Sequence, residues 1–209
     1  VRIASIILAG GRSRRMGTPK ESLPFGANTM LGRTAEVLLE CTDPVCVVAR
    51  DREQRLPPLP ARVLYAVDER PDTGPLAAIA TGMRTLLASG QMTMQDAAFV
   101  TGCDAPFVTA AVVQLLAQEL GEAMCAAPFV DDVAHPLCAV WRLSCLPVID
   151  EAIQNGIDAP RTLLRRIATH AVQEAVLRTA DPRLLCLLPC NSPADYDAAL
   201  RAHGETDGR

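Results

Sequence analysis

The stretch Ile3-Ala4-Ser5-Ile6-Ile7-Leu8-Ala9-Gly10-Gly11-Arg12-Ser13-Arg14-Arg15-Met16-Gly17-Thr18-Pro19-Lys20 decides the fold. Residues 3–9 form a short, nearly unbroken apolar run, the pattern of a strand buried on both faces. Such a strand belongs to a sheet sandwiched between helices. From Gly10 to about Lys20 the composition changes to glycine and arginine, which reads as a loop. Paired glycines let backbone N–H groups approach an anion without interference from a Cβ. Arg12, Arg14, Arg15 and Lys20 add the charge that a polyphosphate needs. On composition alone, a plain glycine turn carrying solvated arginines stays equally open. Spacing excludes two familiar phosphate loops. A P-loop places Lys directly after the second Gly of GxxxxG, whereas Thr18-Pro19 intervene here, and the dinucleotide fingerprint GxGxxG is absent.

Outward from this segment, strands and helices alternate. Met30, Thr34, Val37, Leu38 and Cys41 recur at helical spacing, predicting a helix over about Thr29–Glu40. Val45–Ala49 reads as a second buried strand and Arg62–Val67 as a third. The charged segment Arg50–Arg55 between them suggests a helical turn, followed by the rigid connector Pro57–Pro60. Pro75 suits the first position of a helix reaching about Ala88. Ala97–Thr101 is a fourth strand, followed by a helix over Thr109–Glu119. This order predicts an α/β fold: a three-layer, Rossmann-like, mainly parallel sheet with helices on both faces. Ligands in such sheets sit beyond the carboxyl ends of the strands. Three polar clusters fall on that rim: Gly10–Lys20, Asp68–Pro75 and Gly102–Phe107.

The second half is less regular. Glu122–Phe129 and His135–Trp141 resemble strands around the turn Asp131-Asp132, and Leu146–Asn155 and Arg161–His170 resemble helices divided by Gly156. Val172–Leu177 and Leu184–Leu188 read as strands. Ser192 and Pro193 suit the N-cap and N1 positions of a last helix, with His203–Arg209 a frayed tail. The expected organisation is one domain over 1–203, with a flexible tail at 204–209.

Composition narrows the function. Aromatics are 3% of the 209 residues, so the core is aliphatic and base stacking on aromatic platforms is disfavoured. A net charge of -4 excludes a bulk basic surface for nucleic acid or an anionic membrane. No run approaches the about 20 apolar residues of a membrane span. The eight cysteines lie mostly in apolar runs such as Val45-Cys46-Val47-Val48, where they act as small hydrophobes. Val1-Arg2-Ile3 carries no leader-like n-region. Buried reduced thiols in a cytoplasmic compartment are therefore expected. A zinc site is disfavoured, because no CxxC pair occurs and Cys186-x-x-x-Cys190 alone is weak.

The loop Leu8–Lys20 resembles the LAGGxSxRMGxxK signature of nucleotidyltransferases with a nucleotide-diphospho-sugar transferase-like fold. Gly74-Pro75-Leu76-Ala77-Ala78-Ile79 resembles a GPLAGI segment, and Gly102-Cys103-Asp104-Ala105-Pro106-Phe107 a CDxPF segment. His135-Pro136-Leu137 and Asn191-Ser192-Pro193-Ala194-Asp195 resemble HPL and NTPED elements. In this combination, from about residue 3 to 200, the chain is similar to the molybdenum cofactor guanylyltransferase family, MobA-type.

The resemblance implies transfer of GMP from GTP to the phosphate of molybdopterin with release of pyrophosphate, assisted by Mg²⁺. It assigns residues about 1–110 to the nucleotide and 111–203 to the acceptor. It implies that the backbone of Leu8, Ala9 and Gly10 lines the guanine pocket, and that Gly11, Arg15 and Lys20 meet the phosphates, with Lys20 stabilising charge. Asp104 would bind Mg²⁺, although a lone carboxylate there could also cap the next segment. Asp68 would lie near base or ribose, with Asp72 a neighbour in the same turn. Asn191 and His135 would serve the acceptor side, each with a structural alternative as turn residue or satisfied histidine. No general base is needed, since the acceptor phosphate is already ionised.

The chain departs from the family pattern at Ala78, where Gly is frequent, at Val48, where Asn is frequent, and at Pro189. The alternatives are a cytidylyltransferase on the same acceptor, a sugar-phosphate nucleotidyltransferase, and a nucleotide-binding adaptor in molybdoenzyme maturation. A cytidylyltransferase tends to carry LAAG where this chain has Leu8-Ala9-Gly10-Gly11. The expected partners are the two substrates and possible molybdoenzyme-maturation proteins, with a monomer or weak homo-oligomer as the assembly.

Overall fold

A computed structural model describes the whole chain except residues 12–15, 189, 208 and 209, and the side chains of 205–207. The strands in chain order are β1 Ile3–Leu8, β2 Pro24–Phe25, β3 Asn28–Thr29, β4 Val45–Ala49, β5 Leu64–Val67, β6 Ala97–Gly102, β7 Cys125–Val130, β8 Val133–Ala134, β9 Cys138–Arg142 and β10 Thr169–Gln173. The helices are α1 Met30–Cys41, α2 Pro75–Ala88, α3 Ala110–Gln118, α4 Leu146–Gln154, α5 Pro160–Leu164, α6 Glu174–Leu177 and α7 Pro193–Asp207.

The main sheet runs β10-β7-β9-β6-β1-β4-β5, with β8 added on β7. β1 is parallel to both β4 and β6, β4 to β5, and β10 to β7, while β9 runs antiparallel between β6 and β7. β1, β4 and β6 are almost wholly buried because apolar side chains leave alternately toward two cores. Ile6 joins Leu76, Ile79, Met83 and Trp141 on the α2–α4 face. Ile7 joins Leu31, Leu38, Val112 and Leu116 on the α1–α3 face. These are the expected three layers. The chain leaves β1 toward β4 and β5, then returns past β1 to β6, so the order reverses around the carboxyl end of β1. That reversal opens a crevice for a ligand. Among the described residues, no helix is long and apolar enough to cross a membrane.

Local chemistry sets the helix starts. Thr29 and Thr109 accept from the N–H groups of Gly32 and Val112 as N-caps. Pro75 occupies the first turn of α2, as expected. α7 opens with a capping box: Ser192 Oγ accepts from Asp195 N, and the Asp195 carboxylate accepts from the N–H groups of Asn191 and Ser192. Asp131 and Asp132, both at left-handed φ (48° and 60°), form the two-residue turn of the β7–β8 hairpin.

Four segments differ from the sequence expectations. Arg50–Arg55 is not helical: the Asp51 carboxylate accepts from the N–H groups of Glu53 and Gln54, which folds the segment into a side-chain-held turn. Arg161–His170 is not one helix. α5 ends at Leu164, and Thr169 already pairs with Cys125 in the sheet. The expected strand Val172–Leu177 stops at Gln173, after which α6 turns. Leu184–Leu188 is a 3-10 turn over Leu185–Leu187, because Asp181 Oδ2 captures the Cys186 N–H at 2.7 Å and Leu184 takes a left-handed φ of 54°. Short apolar runs do not reveal whether their backbone groups will find a strand or a side chain. The tail expected from His203 continues α7 to Asp207, with His203 stacked on Phe25 at 4.6 Å. β2, β3 and β8 were not anticipated.

Candidate active site

The carboxyl ends of β1, β5 and β6 open onto a cleft of about 360 Å³. β1 delivers Leu8, Gly10 and Gly11; the segment after β5 delivers Asp68, Asp72 and Gly74; β6 delivers Gly102, Cys103 and Asp104. The three polar clusters of the sequence therefore converge on one opening. A second chamber of about 530 Å³ adjoins it, walled by His135, Pro136, Pro160, Arg161 and Leu188. The two share Pro75, Gly102, Asp104, Leu137 and Asn191.

Where the chambers meet, Lys20 Nζ donates to Asp104 Oδ2 at 3.0 Å and to Asn191 Oδ1 at 2.7 Å. These residues lie as many as 171 positions apart in sequence. Lys20 is placed by the 3-10 turn Lys20–Ser22, Asp104 by the end of β6, and Asn191 by the capping box of α7. The lysine side chain is 12% exposed and the aspartate 27%, so the pair stands in the wall of the cleft, open on one side. A cation and a carboxylate side by side can neutralise a phosphate and hold a cation bound to it.

The base of the cleft is acidic. Burial raises the Asp68 carboxyl above its ordinary value; a hydrogen bond from Arg70 N lowers it, and the nearby Glu69 and Asp72 raise it further. Asp72 holds a left-handed φ of 69° at the turn, and Gly74 one of 95°. A Cβ on Gly74 would stand 2.8 Å from the Asp158 carbonyl, so only glycine fits. Among the described residues, nothing stands within 4 Å of a Cβ built on Gly11, which lines the cleft. Ala78 adds its methyl to the wall, whereas Val48 is buried in the core.

Not every expected site residue reaches the opening. Ala9 is fully buried and outside the cleft wall: its N–H donates to Val48 O at 2.9 Å and its carbonyl accepts from Gln54 Nε2 at 2.8 Å. Arg15, with Arg12 and Arg14, lies outside the described residues, as does Pro189. His135 stands in the second chamber, where burial and the charge of Arg161 lower its pKa below the ordinary 6.5. Its ring is therefore mainly neutral at pH 7.

Sequence reasoning missed Glu21, Arg161 and Gln54. Glu21 walls the first cleft and Arg161 the second, while Gln54 supports the loop from behind. Cys103, Cys138 and Cys186 also contribute to the walls, and burial is a cause of the raised pKa of Cys103 and, after a hydrogen bond with Cys138, of Cys186. All eight cysteines are free thiols, as expected. Among the described residues no three His, Cys, Asp or Glu side chains cluster as a metal centre.

The model of the MobA-like NTP transferase domain matches residues 5–194. The probable molybdenum cofactor guanylyltransferase of Mycolicibacterium paratuberculosis is 32% identical over 204 residues, 97% of each chain. The solved structure of molybdopterin-guanine dinucleotide biosynthesis protein A from Archaeoglobus fulgidus shares the fold with a TM-score of 0.77. It is 21% identical and covers 98% of this chain and 100% of that one. A Mycobacterium tuberculosis protein solved in complex with manganese also shares the fold, with a TM-score of 0.63 at 16% identity over 97% and 100% of the two chains.

Proposed function

As this chain belongs to the MobA-like NTP transferase family, we propose that it transfers GMP from GTP to the phosphate of molybdopterin, releasing pyrophosphate and forming the guanine dinucleotide. The observation that carries this reading is the junction of Lys20, Asp104 and Asn191 between two chambers, one for each substrate. Residues about 1–110 supply most of the nucleotide side, and 111–203 most of the acceptor side.

In this reading the base enters between Leu8, Gly10, Gly74 and Pro75, where Asp68 and Asp72 accept from the N–H groups of guanine or from ribose hydroxyls. The triphosphate then runs past Gly11 toward Lys20. The acceptor occupies the second chamber beside His135 and Arg161, with its phosphate directed at the α-phosphorus. The acceptor oxygen forms the new P–O bond as the bond to pyrophosphate breaks. Phosphoryl chemistry of this kind asks the protein for position and charge rather than covalent steps. Lys20 holds its ammonium where negative charge gathers on the transferred and leaving groups. Asn191 fixes that ammonium, and an acceptor already ionised needs no base.

Asp104 is the residue that would hold Mg²⁺. The donor set fits, because magnesium takes one or two protein carboxylates and completes its shell with phosphate oxygens and water. When bound, the ion adds charge neutralisation at the phosphates. The eight free thiols favour a reducing, cytoplasmic setting.

The test is to incubate the protein with GTP, molybdopterin and Mg²⁺ and to weigh the product. A dinucleotide formed together with pyrophosphate, only when both substrates are present, and lost in a chelator, is the expected result. Hydrolysis of GTP without joining, or no product, sinks the proposal.

A further inference from the structure

Gln54 lies between β4 and β5, outside every motif on which the family resemblance rests. Its side chain ties three segments together. Oε1 accepts from Arg50 N at 2.7 Å, and Nε2 donates to Ala9 O at 2.8 Å and to Glu21 Oε1 at 2.6 Å. The loop that presents it is itself held: Asp51 Oδ1 accepts from the N–H groups of Glu53 and Gln54 at 2.9 and 2.8 Å, and Asp51 Oδ2 accepts from Arg50 Nε at 2.6 Å. An amide whose two polar atoms are both engaged at these distances has little freedom to turn.

Glu21 is only 4% exposed. A carboxylate buried to that degree needs a hydrogen-bond partner, and Gln54 supplies one. Glu21 is also the residue after Lys20, in the same one-turn 3-10 segment. The backbone that places the Glu21 carboxylate against Gln54 therefore also places Lys20. Gln54 itself does not wall the cleft, so its influence passes through Glu21 and the end of β1.

We propose that Gln54 is a positioning residue for the transfer: by fixing Glu21 and the Ala9 carbonyl, it sets where the Lys20 ammonium stands relative to Asp104 and Asn191. This rests on the role given to Lys20 above. At the base end of the cleft, Asp68, Gly74 and Pro75 hang from β5 and α2 outside this bracket, and Leu8 is held independently by its pairing with Val48 and Gly102 in the sheet, so that only Gly10 adjoins the carbonyl that Gln54 holds. Loss of Gln54 should therefore appear in kcat more than in the KM for nucleotide.

The test compares Gln54→Leu, Gln54→Glu and the double variant Glu21→Gln/Gln54→Glu with wild type, using pyrophosphate release and thermal unfolding. A misplacement of about 1 Å costs on the order of 100-fold in rate. Both single variants should unfold cooperatively yet lose about 10- to 100-fold in kcat, with KM for GTP changed less than about threefold. The double variant restores the amide-to-carboxylate bond between positions 21 and 54 with the partners exchanged but leaves the Ala9 carbonyl without its donor, so it should regain part of the loss, about threefold or more over Gln54→Glu. A merely structural glutamine would lower the unfolding temperature and the folded fraction, but leave kcat per folded molecule unchanged. The proposal is overturned if both folded single variants keep kcat within about threefold of wild type, or if the double variant turns over no faster than Gln54→Glu. Lys20→Ala, measured alongside, separates the failures. If Lys20→Ala keeps full turnover, the role of Lys20 falls and this inference falls with it. If Lys20→Ala is inactive while the Gln54 variants match wild type, only the positioning role is wrong.

Discussion

Replacing Lys20 by alanine separates what this side chain does for catalysis from what it does for stability. Its ammonium lies 3.0 Å from Asp104 Oδ2 and 2.7 Å from Asn191 Oδ1, with the lysine 12% and the aspartate 27% exposed. An ion pair open to solvent is worth about 0–1 kcal/mol, and a hydrogen bond with one charged partner about 1.5–3 kcal/mol if well buried. Partial exposure discounts both, so Lys20→Ala should cost about 1–2 kcal/mol of stability. For a domain of this size that is a fall of roughly 2–8 °C in unfolding temperature. Catalysis should suffer more. Removing one preorganised donor from developing negative charge costs about 10²–10³ in kcat, equivalent to about 3–4 kcal/mol in the barrier. The assay is pyrophosphate release at saturating GTP and Mg²⁺ with molybdopterin, paired with calorimetry of the same preparations. A folded Lys20→Ala protein that turns over within about tenfold of wild type would refute the reasoning. So would a loss of turnover that only tracks the unfolded fraction.

Other consequences concern the scaffold. Gly74→Ala forces a left-handed φ on a residue with a Cβ and drives that Cβ to 2.8 Å from the Asp158 carbonyl. It should destabilise the protein by about 2 kcal/mol or more in urea unfolding and weaken nucleotide binding, since Gly74 walls the cleft. Asp96 is buried and would have a raised pKa for that reason, but hydrogen bonds from Arg2 N, Thr93 N, Thr93 Oγ1 and the Arg2 guanidinium bring it below the ordinary 3.8. A depressed folded-state pKa contributes stability above the unfolded value, and that stability is lost as pH falls. Wild type should therefore lose about 2–3 kcal/mol of this contribution below about pH 4, whereas Asp96→Asn lacks it already at neutral pH and shows a flatter acid limb. Burial pushes the Cys46 and Cys145 thiols up to about 12, and burial with nearby Asp104 does the same for Cys190. Native protein should thus expose at most the half-buried Cys41 to a thiol reagent within minutes, with the other seven reacting only on unfolding. Several fast thiols in native protein would contradict that.

The nucleotide half was legible because its signals are local. A continuous apolar strand implies two covered faces, and a proline at a helix start and polar clusters after successive strands carry their own geometry. Lys20, Asp68, Asp104 and Asn191 could be named from motif resemblance, but their meeting point could not be measured from it, since Asn191 joins Lys20 across 171 residues. The irregular second half was harder. Whether Leu184–Leu188 pairs or turns depends on the Asp181 carboxylate reaching one backbone N–H, a contact with no hydrophobic period. Arg161–His170 divides into α5 and β10 because an edge of β7 was available to Thr169, which no local pattern announces. Gln54 escaped for the same reason: its importance lies in whom it touches, not in its neighbours along the chain. Ala9 was named as a pocket residue, yet its backbone groups are engaged with Val48 and Gln54.

The central claim is that this chain transfers GMP from GTP across the junction of Lys20, Asp104 and Asn191, and in the proposed reading Asp68 and Asp72 stand at the nucleotide end of the cleft where they would accept from guanine. The most direct measurement places equal GTP and CTP in one reaction with molybdopterin and Mg²⁺ and identifies the dinucleotides by mass. Carboxylates that accept from paired N–H donors should discriminate by two or more orders of magnitude against a base lacking that pair. The account predicts that the guanine dinucleotide exceeds the cytosine dinucleotide by about 100-fold or more. Equal products, or an excess of the cytosine dinucleotide, would contradict it.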